Sequence, residues 1–422
     1  MSYSSSVIVD NLKIGDKVLL KSNYQYNSSN YDWHFTGTAL VNVSGNILSF
    51  IRGDNFKNNL PVIKYAFRSL FESCDNLISA ENLVIPVVSE SSCLYMFKDC
   101  THLKVAPKLV ATTLADNCYE QMFYNCISLT TIPEFPEVIL APHCYQRMFK
   151  GCSNLTKTPI LPNTTLANYC YCTMFEGCTN LTTAPKLPAT TLTTGCYDGM
   201  FRDCTSLVNA PELPATTMVE ICYMGMFDGC TSLVTAPELP ATILDEFCYE
   251  AMFTGCTSLV TAPELPAARI KEGAYYGMFK GCSSLNYIKC LATRIESMGT
   301  DDWVDGVSAI GTFIKNPSMS SWETGSDGIP SGWIVGNGTE VIAKFNVTTT
   351  SGSTTILNSN SINQFSEIEI DGVVQPSVVN SYTFSTTGNH IVKYTLVDST
   401  TIGDSAFLGC INMTSAIIPD SV

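Results

Sequence analysis

The sequence is poor in charged residues, and above all in basic ones. Of its 422 residues only 14% are charged, and 23 lysines and arginines against 38 aspartates and glutamates give a formal net charge of −15. Binding to phosphate groups requires a basic surface, so this balance argues against nucleic acid and against an anionic membrane surface as partners. The chain also has no apolar run of membrane-spanning length, which predicts no transmembrane segment.

The residue patterns of common catalytic and metal sites are missing as well. Four histidines, His34, His102, His143 and His390, are scattered without another ligand at metal-binding spacing, and no Cys-x-x-Cys occurs. There is no Gly-x-Ser-x-Gly, phosphate loop or dinucleotide fingerprint. We therefore predict no catalytic residue, no metal site and no cofactor.

Neither the N-terminal segment nor the cysteine pattern identifies the cellular compartment of the protein. The segment Met1–Asp10 has no basic region and no apolar core of signal-peptide length, so the chain either is not exported by the general route or has lost a leader. Nineteen cysteines would normally indicate a disulfide-linked secreted protein. Fifteen of them recur at fixed repeat positions, however, which indicates packing, and we expect buried free thiols.

What the sequence does contain is one motif that recurs with a constant step. Phenylalanine occurs nine times at intervals of 26 residues, from Phe71 to Phe279. A cysteine column, Cys74 to Cys282, and a leucine column, Leu77 to Leu285, follow the same step. A fixed period in this range is the signature of a solenoid, in which each repeat buries its apolar side against its neighbours.

Within one repeat the pattern predicts a short helix followed by a strand. Cysteine, tyrosine, methionine, phenylalanine and cysteine recur at i, i+1, i+4, i+5 and i+8 in residues 196–204, which indicates a helix of two turns. The residue before the second cysteine is Asn, Asp or Gly, types that tolerate the left-handed backbone at a helix end. Ser206–Ala210 predicts a strand that ends at Pro211. The fold class predicted is an α/β solenoid, a right-handed coil of about nine repeats, with tyrosine and methionine columns in the core.

These residues carry a resemblance to a known family. The signature Phe-x-Gly-Cys-(Thr/Ser)-(Ser/Asn)-Leu, as in residues 227–233, resembles the BspA-like leucine-rich repeats of bacterial surface proteins. The 26-residue variant with Ala-Pro-Glu-Leu-Pro-Ala-Thr is similar to that of gut Bacteroidales proteins, whereas the commoner repeat has 23 residues. The resemblance implies protein or host-surface binding and adhesion, a cell-surface or secreted location, and no catalytic residues.

Five regions are predicted along the chain. They are a β-rich N-terminal cap (1–64), the leucine-rich-repeat solenoid (65–291), its C-terminal cap (292–336), a small antiparallel, sandwich-like β-domain (337–398) and the start of a second BspA-like repeat (399–422). One such repeat cannot bury its own apolar side. We therefore expect that the last region either is a truncated array, the favoured alternative, or packs on another part of the protein.

Aromatic residues near the end of the solenoid allow two interpretations. Trp303, Trp322 and Trp333 stand among turn residues and either line a sugar site or cover the last coil, and the second interpretation is favoured. Glycan binding through the β-domain is a weaker hypothesis, because Glu367 and Glu369 have no clear partner carboxylate.

One surface stands out as a candidate binding site. Glutamates recur at one repeat position in Glu212, Glu238 and Glu264, and valines recur four residues earlier in Val208, Val234 and Val260. Like charges one repeat apart repel each other, so the glutamates indicate either a surface for a cation or basic partner or a simple solvated edge.

The sequence thus favours a non-enzymatic, adhesin-like interaction protein. It is expected outside the cell, binding a protein or a host or microbial surface macromolecule through its strand-bearing face, without nucleic acid and with an unknown oligomeric state. The alternative is a phage fibre or receptor-binding protein located in the virion, which the β-rich N-terminal segment and the absence of a signal peptide also fit.

Overall fold

The computed structural model describes residues 40–52, 62–319, 322–398, 401–419 and 422. The chain divides into two compact units, Met1–Lys186 and Leu187–Val422. The division falls inside the predicted solenoid, and the five regions named above remain predictions. The strands predicted before residue 40 lie outside the described residues.

Each repeat of the first unit begins with a ribbon of overlapping β-turns, which we call the turn ribbon. In residues 115–126 alternate N–H groups donate to the carbonyl three residues earlier, as Met122 does to Tyr119 (3.2 Å). The N–H groups between them donate to the next repeat, as Phe123 does to Met148 (2.9 Å). Half of the ribbon's backbone N–H groups are therefore satisfied within the ribbon, and the other half by the neighbouring coil.

Every fourth residue of the ribbon has a left-handed backbone. In the same repeat Asn117, Gln121 and Asn125 have φ values of 56°, 52° and 59°. A positive φ at the third residue defines a type II turn, whereas an α-helix has no left-handed residues. The predicted helices are therefore wrong. The apolar residues recur at every fourth position, which fits a four-residue turn better than the 3.6-residue turn of a helix.

The first unit contains one short helix and one parallel sheet among its described residues. Its elements are β1 (Val41–Asn46), helix α1 (Ser49–Arg52), β2 (Leu77–Ile85) and β3 (Lys108–Leu109). The strand order is β1-β2-β3, all parallel. The chain turns at the end of β1: the Asn46 side chain accepts a hydrogen bond from the Leu48 N–H (2.9 Å) and helix α1 follows.

Identical side chains form the core of the first unit. Consecutive phenylalanine rings from Phe71 to Phe175 lie stacked with centroids 5.1–5.7 Å apart. Tyr119 and Tyr145 stack in the same way at 5.8 Å, and Met122 and Cys126 have no exposed surface. The prediction that the methionine and aromatic columns are core is confirmed for this unit. Parallel stacking results because each coil places the same ring in register with the last.

The second unit repeats the turn ribbon in residues 193–306. Here too Phe227 donates its N–H to the next coil, at Met252 O (2.9 Å), and Gly225 and Gly229 have positive φ. Opposite the ribbon the coils meet through single parallel bridges, Asn209 to Thr235 and Thr217 to Ile243. The predicted strand rungs are thus present, but most are reduced to one bridge.

Longer parallel strands follow towards the end of the repeats. They are β4 (Arg269–Ile270), β5 (Tyr287–Cys290), β6 (Arg294–Ile295), β7 (Thr312–Lys315) and β8 (Ile334–Gly336), paired as β4-β6 and β5-β7-β8. Trp303 is fully buried and stacks on Tyr275 (6.2 Å) and on Trp322 (5.6 Å). Trp333 is also buried and donates to Ser308 O (2.7 Å). The tryptophans therefore cover the last coil instead of forming an exposed aromatic platform.

The end of the chain forms an antiparallel sheet of strand order β12-β11-β14-β9-β15, accompanied by the pair β10-β13. The elements are β9 (Glu340–Val347), β10 (Thr354–Thr355), a 3₁₀ helix (Ser359–Gln364), β11 (Phe365–Ile370), β12 (Val373–Val374), β13 (Ser381–Tyr382), β14 (Gly388–Leu396) and β15 (Met413–Ile417). Asp371 and Gly372 both have positive φ, as a tight hairpin turn between β11 and β12 requires.

The last repeat packs against this sheet. Strand β15 pairs with β9, and Ala406 and Cys410 belong to the core that also contains Val341 and Phe345. Phe407 contacts the ring of Tyr394 (5.4 Å). The described part of residues 399–422 thus packs on the antiparallel sheet, and the second array expected there remains a prediction.

Candidate binding surface

The six residues chosen from the sequence lie on three consecutive coils of the second unit. Val208, Val234 and Val260, the valine row, are 41%, 50% and 42% exposed. The Val234 N–H donates to Val208 O (3.2 Å), so the valines occupy matching positions on adjacent coils. Parallel coils are about 4.8 Å apart, so the row is continuous.

The valines are exposed because the residue before each one is buried. Leu207, Leu233 and Leu259 point into the core with no exposed surface. Successive side chains of extended backbone point to opposite sides, so the next residue faces water. Isolated exposed apolar residues are ordinary, but three in register make a contiguous strip, and such strips mark interaction sites.

A shallow depression lies between two of these coils. Its volume is about 270 Å³, and its lining consists of Val234, Thr235, Ala236, Val260, Thr261, Ala262 and Pro263. Pockets that enclose small ligands measure about 300–1,000 Å³. The depression is thus of a size to receive a side chain of a partner rather than to enclose a ligand.

The glutamate row consists of Glu212, Glu238 and Glu264, which are all exposed but differ in their ion pairs. Glu264 pairs with Lys289 of the next coil, with 3.0 Å between Nζ and Oε2. No lysine or arginine among the described residues forms an ion pair with Glu212 or Glu238. The free negative charge of the row is therefore concentrated on its first two members.

Two acids in the turn ribbon of the second unit are paired across coils. Lys271 Nζ lies 2.7 Å from Asp245 Oδ1, and Arg202 Nε lies 3.4 Å from Asp228 Oδ2. The hydrogen bond from Lys271 lowers the pKa of Asp245, and the same bond raises the pKa of Lys271. These two carboxylates already have cations of their own, and the exposed valines distinguish the valine row as the candidate surface.

Reactive groups are held in structural contacts. Burial raises the pKa of the thiols, for Cys196 to about 11 and for Cys248 to about 12, so they stay protonated at neutral pH. His390 is buried, with Nδ1 2.6 Å from Asp371 Oδ2 and Nε2 2.9 Å from Thr386 O. Both ring nitrogens are thus engaged within the fold.

The described residues contain neither a cluster suited to a metal ion nor a helix suited to a membrane. In that part of the chain no three or more His, Cys, Asp or Glu residues are grouped so as to hold a metal ion. No helix there has the length and hydropathy needed to cross a membrane.

Comparison with known proteins decides the family. The model of the BspA type leucine rich repeat region matches residues 68–208 and 344–422, in six copies and over more than half of the chain. The chain belongs to the BspA type leucine-rich repeat family. A search of curated proteins finds no match.

The BspA family supports the general character predicted from the resemblance. Its leucine-rich repeats commonly mediate protein binding, and members are generally non-enzymatic and typically surface-associated. The second matched segment includes both the antiparallel sheet and the last repeat. Val208 is the final residue of the first segment, so the other five candidate residues lie between the two segments, where the 26-residue step nevertheless continues.

Sequence reasoning missed two parts of the surface. It did not include Thr235, Ala236, Thr261 and Ala262, which line the depression and directly follow the valines. It also missed Lys289 as the partner of Glu264. Neighbouring coils pair residues about one repeat apart, so the 25-residue separation from Glu264 to Lys289 was the available signal.

Proposed function

We propose that this chain is a non-enzymatic, adhesin-like protein that acts outside the cell and binds a host or microbial surface protein through the valine row. The observation that carries the proposal is the exposure of Val208, Val234 and Val260 in register on adjacent coils. A strip of this kind loses water-exposed apolar area only when a partner covers it.

Size and charge support a protein as the partner. The depression at Val234 and Val260 is open and small, about 270 Å³, and suits a protruding side chain. A net charge of −15 does not suit nucleic acid. Stable protein interfaces cover about 800 Å² on each partner, so the valine row would form the centre of a larger contact.

A binding screen with a paired variant tests this function. The full chain is applied to an array of purified extracellular host and bacterial proteins, and dissociation constants are measured for each partner found. The double variant Val234→Lys/Val260→Lys is expected to weaken binding at least about tenfold, because buried charges at an interface centre are costly.

The matched control is Ile243→Lys, which changes another exposed residue of the second unit. This variant is expected to bind as the wild type does. If every partner binds the double variant and the wild type equally, or if the array yields no partner, the proposed function is overturned. Circular dichroism of each variant shows whether a loss of binding reflects unfolding.

A further inference from the structure

The valine row and the two unpaired glutamates lie beside each other, and together they restrict the chemistry of a partner. In each coil the glutamate follows the valine by four residues, with Pro237 and Leu239 flanking Glu238. Four extended residues span at most about 13 Å, so the two rows run side by side across the coils. A partner that covers the valines therefore comes within reach of the carboxylates.

From this juxtaposition we propose that the partner contributes a basic amphipathic helix, with its apolar side on the valine row and its lysines or arginines over Glu212 and Glu238. This inference rests on the proposed function, because it names the class of partner that the same surface takes. Charge complementarity carries it: Glu212 and Glu238 are exposed, neither forms an ion pair with a lysine or arginine among the described residues, and both lie in the coils that carry the exposed valines.

The spacing of the coils favours a helix over an extended segment. Residues one helical turn apart, at i and i+3 or i+4, have Cβ atoms about 5–6 Å apart. Consecutive valines are about 4.8 Å apart, whereas same-face residues of a strand are about 6.6 Å apart. Successive turns of a helix thus follow successive coils.

Glu264 marks where this basic contact ends. Its carboxylate is already paired with Lys289, whose side chain is largely buried, so a partner cation gains little there. The valine of the same coil, Val260, remains exposed and lines the depression. The apolar contact is therefore expected to extend one coil beyond the charged one.

Three designed peptides test the partner class by fluorescence anisotropy with the full chain. The first is a helical peptide with leucines at i, i+3 and i+7 and lysines along one flank. The second replaces its lysines by glutamates, and the third replaces its leucines by serines. Only the leucine–lysine peptide is expected to bind. Added salt is expected to weaken its binding, because the ion pairs are exposed.

Variants of the protein locate the contact. Glu212→Gln/Glu238→Gln is expected to weaken binding of the leucine–lysine peptide by about two- to thirtyfold, the range for two exposed ion pairs. The matched control Glu220→Gln/Glu246→Gln removes the same charge from exposed positions of the same unit and is expected to leave binding unchanged.

Equal binding of the leucine–glutamate peptide, or of the serine–lysine peptide, overturns the proposal, as does equal weakening by the control pair. Failure of all three peptides also overturns it. In that case the array screen still tests the proposed function. If a partner protein from the array binds the wild type but not Val234→Lys/Val260→Lys, the valine row binds something other than a basic helix.

Discussion

At the scale of single residues, the cysteines show why one side chain recurs at the same core position of each repeat. Phe97 O accepts the N–H of Cys100 within its own turn ribbon (3.1 Å) and the Sγ–H of Cys126 from the next coil (3.0 Å). Phe201 O accepts from Cys230 in the same way (3.1 Å). The thiol is small enough for the core and still supplies a weak donor to the second lone pair of the carbonyl. This explains a cysteine column without any disulfide role.

The first prediction concerns these thiols. All nineteen cysteines are buried and free, and burial raises the pKa of thiols such as Cys118, to about 12. In a titration with a thiol reagent at neutral pH, the native protein is expected to react slowly or not at all, because the thiolate is the reactive form. After denaturation all nineteen are expected to react, with or without prior reduction.

Two outcomes would contradict this account of the thiols. One is rapid reaction of many thiols in the native protein, which would show that the columns are accessible. The other is a count after denaturation that rises only when reductant is added, which would show that disulfides exist.

At the scale of elements, the turn ribbon is the feature on which sequence and structure disagree most. Cysteine, methionine and cysteine at residues 248, 252 and 256 have an apolar spacing that a helix also tolerates, so the pattern alone did not separate the two. The ribbon has a left-handed residue at every fourth position, and in this coil Gly255 is a residue type that indicates one. Phe247 and Ala251 also have left-handed φ values, 54° and 52°, which no propensity scale indicates for phenylalanine or alanine.

The second prediction separates a ribbon from a helix by the sign of two substitutions. Ala251 has φ 52° and Gly277 has φ 57°. Ala251→Gly is expected to raise the free energy of unfolding by up to about 1 kcal/mol, since a left-handed alanine costs about 1–2 kcal/mol and part of the gain is lost to backbone entropy. Gly277→Ala is expected to lower it by about 1–2 kcal/mol.

Urea denaturation midpoints measure both variants, with the m-value as a check that compactness is unchanged. Steric overlap does not confuse the result at Gly277, because an added Cβ would meet only Thr254 Oγ1 at 3.9 Å. A helix requires the reverse of both effects, with Ala251→Gly lowering and Gly277→Ala raising the free energy of unfolding, since glycine costs about 0.5–1 kcal/mol relative to alanine there. Such a result would refute the ribbon.

The parts of the fold that the sequence predicted are those set by the 26-residue step. Buried columns such as Phe201 and Leu207, and the exposure of Val208, follow from identical positions in register. The short strands were harder to predict, because prolines such as Pro211 interrupt them and leave single bridges. The pairing of Glu264 with Lys289 was missed because their separation of 25 residues departs by one from the 26-residue step on which the columns were aligned.

At the scale of the whole molecule, two compact units share one family of repeats. The family model matches residues 68–208 in the repeats and residues 344–422 at the end of the chain. Repeats of this kind are stabilised by neighbour contacts, so exposed positions can vary from coil to coil without loss of the fold. That freedom accounts for a valine row confined to three coils, with Thr182 and Asn286 at the same position on either side.

The most direct test of the account is cross-linking from the valine row. A photoreactive amino acid is placed at Val234 in one full-length variant and at Tyr276, an exposed residue of the turn ribbon, in another. Each variant is irradiated with a partner protein from the array screen, and covalent complexes are counted by mass spectrometry. We expect complexes from position 234 and few from position 276. Equal yields from the two positions, or complexes from position 276 alone, would contradict binding through the valine row.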